Sequence, residues 1–272
     1  MLQTRVVTAL VLIAVLAALL MAQIQPLIAV ATGGFLAAAT WEALRLFKSR
    51  HAVAVTFAWC VLFAAVAFQK AFNHSELFML VCVLIWVLRL APSLRFGLPA
   101  LGTPGNTLLG GVYCMAILGC FVAMLALFSH SALYLFSVLA LVWAADIGAY
   151  FSGKAFGRWK LAPSISPGKT WEGAVGGWIA VLTLSAGSVM VPALRDTFAV
   201  QLQRDHGWLV LFLALSLIVA ASVVGDLFES QLKRRAGVKD SSALLPGHGG
   251  VLDRIDALIP VLPLALLLDV WR

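Results

Sequence analysis

Charge is scarce in this sequence. Of its 272 residues, 62% are hydrophobic and only 11% carry a charge. A soluble globular protein of this length needs far more charge to cover its surface. The apolar residues also come in runs long enough to cross the roughly 30 Å hydrocarbon core of a bilayer. The composition therefore excludes an ordinary soluble domain and predicts an integral membrane protein.

Paired cysteines are also missing. Cys60, Cys82, Cys114 and Cys120 all lie inside apolar runs, and no Cys-x-x-Cys pair occurs. Neither a disulfide framework nor a zinc site is indicated, and small buried apolar residues are the simpler interpretation. The net charge of +7 does not indicate a nucleic-acid partner. The basic residues lie in short loops between apolar runs, where they indicate orientation, anionic lipids or phosphate-bearing substrates.

Nine apolar segments have about the length that a membrane span needs. We therefore expect an all-α, polytopic transmembrane protein of about nine spans. The first segment lacks a clean small-x-small cleavage site, so we interpret it as a retained span rather than a signal peptide. The expected spans are 6–22, 27–44, 52–69, 77–91, 107–128, 132–150, 173–192, 207–230 and 255–270.

Basic residues are distributed unevenly between the loops. Fourteen of the 19 Lys and Arg residues follow the second, fourth, sixth and eighth spans. Cytoplasmic loops carry the excess of Lys and Arg, so these four loops are predicted to face the cytoplasm. Loops 151–171 and 232–254 break the apolar pattern most strongly. We expect residues 1–130 to form about five N-terminal spans, and residues 131–272 to form a catalytic region that contains both of these loops.

Acidic residues near span ends need an explanation, because a charge at a helix centre costs about 2.5–3.5 kcal/mol on insertion scales. Asp226 and Glu229 are three residues apart, and Ser230 is four after Asp226, so the three share one helix face. Asp253 and Asp256 have the same spacing where the ninth span begins. Several helix ends would thus present oxygen ligands near one membrane surface.

Hard cations such as Mg²⁺ bind oxygens of this kind, usually one or two carboxylates with waters and substrate phosphates. Asp146 and Tyr150, four apart at the end of the sixth span, add further oxygens, and Glu42 is one more acidic residue, near the second span. The predicted metal ligands are Asp226, Asp253 and Asp256. The alternative is ion pairing with Lys233, Arg234 and Arg254, which explains Glu229 and Asp256 about as well.

Two Gly-containing stretches have the composition of phosphate-binding loops. They are residues 153–158 (Gly-Lys-x-x-Gly-Arg) and 166–170 (Ser-Pro-Gly-Lys-Thr). Glycine permits close backbone approach and lysine supplies a point charge, while a helix starting near Thr170 would offer free N–H groups to an anion. The spacing of a P-loop is absent, because Pro163 stands where the first glycine should be. A basic surface turn is an equally good explanation.

Residues 246–250 (Pro-Gly-His-Gly-Gly) predict a tight turn whose backbone can approach a ligand closely. His248 could donate a hydrogen bond to a phosphate oxygen from this turn. A single histidine is more often structural, so the turn alone does not indicate a function.

The run from Ser230 to Asp256 resembles the signature of phosphatidate cytidylyltransferases. That signature contains Ser, a hydrophobic residue two positions on, Lys-Arg, Lys-Asp, Pro-Gly-His-Gly-Gly and Asp-Arg-x-Asp, and every fixed position is met here. A pattern with so many fixed positions is highly specific. Residues 146–157 and 166–173 also resemble the family, except that Gly168 stands where many members have a second Lys. The first four spans match in hydropathy only.

The resemblance implies a homodimeric enzyme of a bacterial inner membrane, with its active site open to the cytoplasm. Its substrates would be CTP and phosphatidic acid, and its products CDP-diacylglycerol and pyrophosphate. It also implies a requirement for Mg²⁺, with a monovalent cation such as K⁺ nearby. The catalytic residues would be Asp226, Asp253, Lys233 and His248. The substrate-binding residues would be Asp146, Tyr150, Lys154, Ser166, Lys169, Thr170, Glu172, Ser230, Lys239, Asp240, Gly249 and Arg254.

Other membrane enzymes and transporters are the alternatives. A CTP-dependent lipid-alcohol kinase or another CDP-lipid synthase would fit a similar scaffold. CDP-alcohol phosphotransferases fit poorly because the sequence has no Asp-x2-Asp-Gly…Asp-x3-Asp run, and prenyltransferases fit poorly because it lacks paired Asp-x-x-x-Asp motifs. A transporter would place charges near the bilayer midplane in repeated halves, and neither feature is visible.

Overall fold

The computed structural model of the protein describes residues 24–270. The first expected span, 6–22, lies outside these residues. The helices are α1 (Gln25–Leu46), α2 (Ala52–Phe68), α3 (Glu76–Ile85), α4 (Ala91–Phe96), α5 (Pro104–His130), α6 (Ala132–Phe156), α7 (Trp171–Val189), α8 (Phe198–Ala236), α9 (Leu252–Ile255) and α10 (Leu258–Val270). A π-helical turn, Trp86–Leu90, joins α3 to α4, and short 3₁₀ turns lie at Ala71–His74 and Pro192–Leu194.

The all-α, polytopic membrane architecture is confirmed. Six helices in the described part of the chain are long and apolar enough to cross a membrane, counting Glu76–Phe96 as one. Two further apolar helices are shorter: α2 has 17 residues and α10 has 13. All eight coincide with expected spans. The total of about nine stays a prediction, because the two shorter helices fall below the usual spanning length and the first segment is not described.

Polar residues define where several helices begin. The side chains of Thr103, Ser131 and Thr170 each accept a hydrogen bond from a backbone N–H three residues on, at the first turns of α5, α6 and α7. Such caps satisfy an N–H group that the helix itself leaves unpaired and contribute about 1 kcal/mol each. The helix predicted to start near Thr170 therefore begins where the sequence indicated.

Helix α5 forms the centre of the bundle. Its most apolar 18-residue window is 78% buried, whereas the corresponding window in α7 is only 22% buried. The outward faces of the peripheral helices carry large exposed apolar side chains such as Val53, Phe57, Leu77 and Leu209. This inversion of the soluble pattern is what a lipid-facing surface requires. Helix α10 packs against α3, α5 and α8, so elements from the first 130 residues contact the C-terminal region directly.

An aromatic cluster packs the C-terminal half of α8 against the bundle. The ring of Phe228 lies 4.9 Å from that of Tyr113 and 5.6 Å from that of Trp86, measured between centroids. The guanidinium of Arg235 lies 4.9 Å from the centroid of Phe47. Aromatic pairs contribute about 0.5–1.5 kcal/mol beyond their buried area. The cluster therefore fixes the helix that carries the acidic residues of the predicted site.

The two predicted polar loops are shorter than the sequence indicated. Helix α6 continues to Phe156, and an antiparallel hairpin of β1 (Lys160–Ala162) and β2 (Ser166–Thr170) follows. Helix α8 continues to Ala236, where Gly237 ends it in a left-handed conformation. Polarity marks where a helix leaves the membrane and not where it ends, which is why both loop boundaries were wrong.

Helices α6 and α7 lie unusually close together. A Cβ atom at Gly176 would stand 1.9 Å from the Ser152 hydroxyl, and one at Gly148 would stand 2.7 Å from the Cβ of Ala180. Small residues allow helix backbones in membranes to approach closely, and van der Waals packing then stabilises the pair. This contact holds the hairpin and α7 beside the polar end of α6.

Candidate active site

A cleft of about 450 Å³ opens between α6, α7, α8 and the hairpin. The apolar part of its lining includes Ala145, Ala174, Val219 and Val223. Six of the residues that the sequence predicts to bind substrate or metal line this cleft: Asp146, Tyr150, Lys154, Lys169, Thr170 and Asp226. The structure thus brings together residues that are up to 80 positions apart in the chain. A cleft lined by both charged and apolar side chains suits an amphipathic ligand.

An ion pair crosses this cleft. The Lys169 ammonium lies 2.5 Å from Oδ2 of Asp226, and the two side chains are 25% and 32% exposed. Lys169 is held at the end of β2, directly before the residue that caps α7. Because both groups contact solvent, the pair can exchange partners at little cost. The cleft therefore offers one cation and one carboxylate to an incoming ligand.

Residues 153–158 do not form the loop that their composition suggests. Gly153 and Lys154 belong to the last turns of α6. Gly157 ends that helix, and a Cβ atom there would stand 2.9 Å from Cγ2 of Thr170. The glycines serve the contact between helix and hairpin, while Lys154 projects into the cleft with its ammonium 5.9 Å from the ring centroid of Tyr150.

Three predicted substrate-binding residues line neither this cleft nor the cavity at the signature loop. Ser166 pairs with Ala162 across the hairpin. Both carboxylate oxygens of Glu172 accept from the backbone N–H of Trp159, at 3.1 and 3.2 Å. Ser230 donates to Asp226 at 3.3 Å. Their contacts fix the hairpin and orient Asp226, and no described contact places them in a ligand cavity.

The signature loop between α8 and α9 forms a second cavity of about 610 Å³. The predicted turn is confirmed: the Leu245 N–H donates to the Gly249 carbonyl at 2.8 Å, and Gly247 and Gly249 adopt positive φ values. Arg254 donates to the His248 carbonyl through Nε and Nη2 at 3.1 and 2.6 Å. The predicted residues that line this second cavity are Lys239, Asp240, His248, Gly249 and Arg254.

Asp253 is enclosed in hydrogen bonds. Lys233 donates to its Oδ1 at 2.7 Å, and the Ser241 N–H, the Ser241 hydroxyl and the Gly250 N–H donate to its Oδ2 at 2.7–2.9 Å. Burial opposes ionisation of Asp253, but the Lys233 ammonium and the Gly250 N–H help to outweigh it, and the pKa of the carboxyl is lowered to about 2. This carboxylate holds the loop closed.

Lys233 joins the loop to helix α8. Its ammonium pairs with Asp253 and also with Glu229, one turn earlier on α8, and its side chain is only 14% exposed. Glu229 therefore takes the ion-pair role that the sequence left open. Asp256 accepts a hydrogen bond from the Ala257 N–H at 2.8 Å, at the junction of α9 and α10.

The residues fit the predicted metal unequally. Within residues 24–270, no three His, Cys, Asp or Glu side chains lie close enough together to hold a metal ion by themselves. Asp226 and Asp146 both face the cleft, and a Mg²⁺ ion there would take its remaining ligands from water and substrate phosphates. Both oxygens of Asp253 are already engaged. The Asp226–Asp253 metal pair stays a prediction, and these contacts favour an anchoring role for Asp253.

One buried acid received no role from the sequence. Glu42, near the end of α1, is fully buried and accepts hydrogen bonds from Ser241 and Leu252, which lie 199 and 210 residues later in the chain. The sequence shows only a carboxylate beside an apolar span. A buried charge needs partners, which was the available signal, but nothing in the sequence names them.

Known proteins are similar to this chain over nearly its whole length or over about half of it. The model of the cytidylyltransferase family matches residues 3–270. Phosphatidate cytidylyltransferase of Haemophilus influenzae is 52% identical over 134 residues, which are 49% of this chain and 44% of that protein. The enzymes of that name from Pseudomonas aeruginosa and Bacillus subtilis are 50% and 36% identical, over 47% and 58% of this chain and 44% and 55% of their own length. The matched stretch thus spans about half of each relative, and the chain belongs to the cytidylyltransferase family.

Proposed function

We propose that this member of the family is a phosphatidate cytidylyltransferase. It would transfer CMP from CTP to phosphatidic acid, forming CDP-diacylglycerol and pyrophosphate. The observation that carries the proposal is the cleft between α6, α7 and α8, which is lined by Lys154, Lys169, Asp146 and Asp226 together with apolar side chains. A lipid phosphate and a nucleotide triphosphate both need cations, and the diacyl tails need an apolar wall.

Positioning and charge neutralisation account for most of the catalysis in reactions of this type. Lys169 would leave its pair with Asp226 and hold phosphate oxygens together with Lys154, because substrate phosphates present more charge than one carboxylate. Tyr150 and Thr170 line the same cleft and would orient the nucleotide. Lys239, His248 and Arg254 of the second cavity supply further donors at the signature loop.

The bond changes are simple. An oxygen of the phosphatidate attacks the α-phosphorus of CTP, the bond from that phosphorus to the β-phosphate oxygen breaks, and pyrophosphate leaves. The attacking phosphate is already largely ionised, so no strong general base is needed. Asp226 would hold Mg²⁺ with the substrate phosphates, and the ion would neutralise charge on the α-phosphate and the leaving group. A K⁺ ion nearby and a homodimeric assembly are further parts of this proposal.

The site belongs at the cytoplasmic surface of a bacterial inner membrane. Exposed aromatic side chains, Phe156, Trp159 and Trp171, surround the hairpin beside the cleft, and Lys160 lies among them. Trp and Lys are typical of the membrane–water interface, and positive charge favours the cytoplasmic leaflet. Phosphatidic acid could thus reach the cleft without leaving the bilayer.

Labelled CTP tests the reaction directly. The purified protein is incubated in mixed micelles with Mg²⁺, phosphatidic acid and CTP carrying label in either the α- or the γ-phosphate. We expect α-label in the lipid product and γ-label in an equal amount of pyrophosphate. Diacylglycerol in place of phosphatidic acid is the control and should give no labelled lipid. Transfer of γ-label to lipid would instead establish a CTP-dependent kinase, and no labelled lipid would refute both activities.

A further inference from the structure

We infer that Glu42 is a positioning residue for the signature loop, acting from the first described helix on the catalytic segment at the other end of the chain. The inference rests on the proposed function for its kinetic arm only. Glu42 lines neither of the two cavities, so it would act through the residues that it holds.

Both oxygens of Glu42 are saturated by donors from one loop. The Ser242 hydroxyl and the Val251 N–H donate to Oε1, the latter at 3.1 Å. The Ser241 hydroxyl and the Leu252 N–H donate to Oε2 at 3.0 and 2.7 Å. The side chain is 0% exposed. A buried carboxylate with four donor groups around it is specific for its partners, because a neutral replacement leaves some of those donors unpaired.

The contact is connected to the predicted catalytic residues. The Ser241 hydroxyl lies within hydrogen-bond distance of both Glu42 and Asp253 and has one proton to donate. The Leu252 N–H belongs to the first turn of α9, whose next two residues are Asp253 and Arg254. Glu42 therefore fixes the start of the segment that carries two contacts. Asp253 pairs with Lys233, and Arg254 donates to the His248 carbonyl.

Gly250 shows how closely the loop is fitted to this carboxylate. A Cβ atom at Gly250 would stand 2.0 Å from the Ser241 hydroxyl and 2.5 Å from Oε1 of Glu42. No side chain fits there without moving the loop. The glycine at the end of the signature turn thus serves the approach to Glu42 and not only the turn.

Glu42→Gln tests the inference, with Glu76→Gln as the matched control. Glu76 is an exposed carboxylate in the first turn of α3 and belongs to neither cavity of the candidate site. For Glu42→Gln we expect kcat for CDP-diacylglycerol formation to fall by about 10-fold or more, because hydrogen bonds to a buried charge are lost. The KM for CTP should change by less than about 3-fold, since the cleft with Lys169 is untouched. Glu76→Gln should leave both values unchanged.

Hydrogen exchange supplies a readout that needs no activity. In Glu42→Gln, the amides of Val251 and Leu252 should exchange at least about 10-fold faster, while peptides from α5 keep their wild-type rates. A wild-type protein without transferase activity would refute the proposed function but leave this arm intact. Wild-type kcat together with unchanged exchange at these amides would overturn the inference, as would faster exchange throughout the molecule with wild-type turnover per folded protein.

Ser242→Ala protects the test against a Glu42 variant that does not fold. It removes one donor and keeps the carboxylate, so kcat should fall by about 3-fold, and Glu42→Gln with Ser242→Ala should lose less than the product of the two single effects. Ser164→Ala, at an exposed position of the hairpin turn, is the control. If Glu42→Gln does not fold, unchanged kcat and exchange in Ser242→Ala overturn the inference.

Discussion

Asp226 and Asp253 are the same residue type with the same predicted role, yet their surroundings differ. Asp226 faces an open cleft, pairs with one lysine and is about one-third exposed. Asp253 lies within hydrogen-bond distance of four donor groups, and it shares one of them, the Ser241 hydroxyl, with a second, fully buried carboxylate, Glu42. A charge with one exchangeable partner can be given to a ligand. A charge held by backbone donors orders the chain around it, so we regard the cleft as the adaptable part of the site and the loop as its rigid part.

Both parts must face one compartment if they act on one substrate, and this gives the largest expected difference. Cysteines placed at Ser164 in the hairpin and at Ala243 in the signature loop, both exposed, should react with an impermeant thiol reagent from the cytoplasmic side only. A cysteine at Ala193, between α7 and α8, should react only from the other side. The native thiols of Cys82, Cys114 and Cys120 are buried and should not react with the reagent. Labelling of the first two positions from opposite sides would separate the cleft from the loop.

Asp→Asn changes at the two aspartates should have similar effects on kcat but different effects on thermal stability. Each should lower kcat by about 100-fold or more, as expected when a preorganised charge is removed from a site of phosphoryl-type transfer. Asp253→Asn should also lower the thermal midpoint by roughly 3–8 °C, because it breaks a buried hydrogen-bond network. Asp226→Asn should leave the midpoint nearly unchanged and raise the Mg²⁺ concentration needed for half-maximal turnover.

Turnover, Mg²⁺ titration and thermal unfolding in detergent measure this pair of variants, with Glu76→Gln as the control. Equal destabilisation by both changes would remove the distinction between the adaptable and the rigid part. Near-normal turnover of Asp226→Asn at low Mg²⁺ would exclude Asp226 as a metal ligand.

Local features of the molecule could be predicted from the sequence because their causes are local. Thr170 caps a helix that follows a Pro-Gly pair, and residues 246–250 cannot form a helix, so both were found where they were expected. The end of α6 was missed because its Gly and Lys residues are typical of a loop, although the helix continues through them to Phe156. Contacts between residues far apart in the chain could not be predicted from the sequence. Periodicity places Glu42 on a helix, but it does not indicate that Leu252 donates to it.

Lys169→Ala tests the adaptable part alone. Loss of the ammonium removes a phosphate ligand, so kcat/KM for CTP should fall by roughly 10- to 100-fold, the equivalent of a charge-assisted hydrogen bond. The fold should remain intact, because the Lys169–Asp226 pair is partly exposed and contributes little to stability. Lys160→Ala, in the partner strand and outside the cleft lining, is the control and should stay within about 2-fold of wild type. Equal kinetics for the two variants would return residues 166–170 to the role of a basic surface turn.

The smallest expected effect concerns Gly168, where many family members have a second lysine. Gly168 lines the cleft, and its φ is not positive. No atom of a residue other than its chain neighbours lies within 4 Å of where its Cβ would stand. A lysine therefore fits without strain and brings a second positive charge beside Lys169. We expect Gly168→Lys to lower the KM for CTP by about 2- to 5-fold, the size of an exposed ion pair, and to lose this gain at high salt. Ser164→Lys adds the same charge to the same hairpin outside the cleft lining and should leave the KM unchanged. An equal gain in both variants would show that only net charge matters, whereas a higher KM in Gly168→Lys would show that this part of the cleft is less adaptable than its contacts indicate.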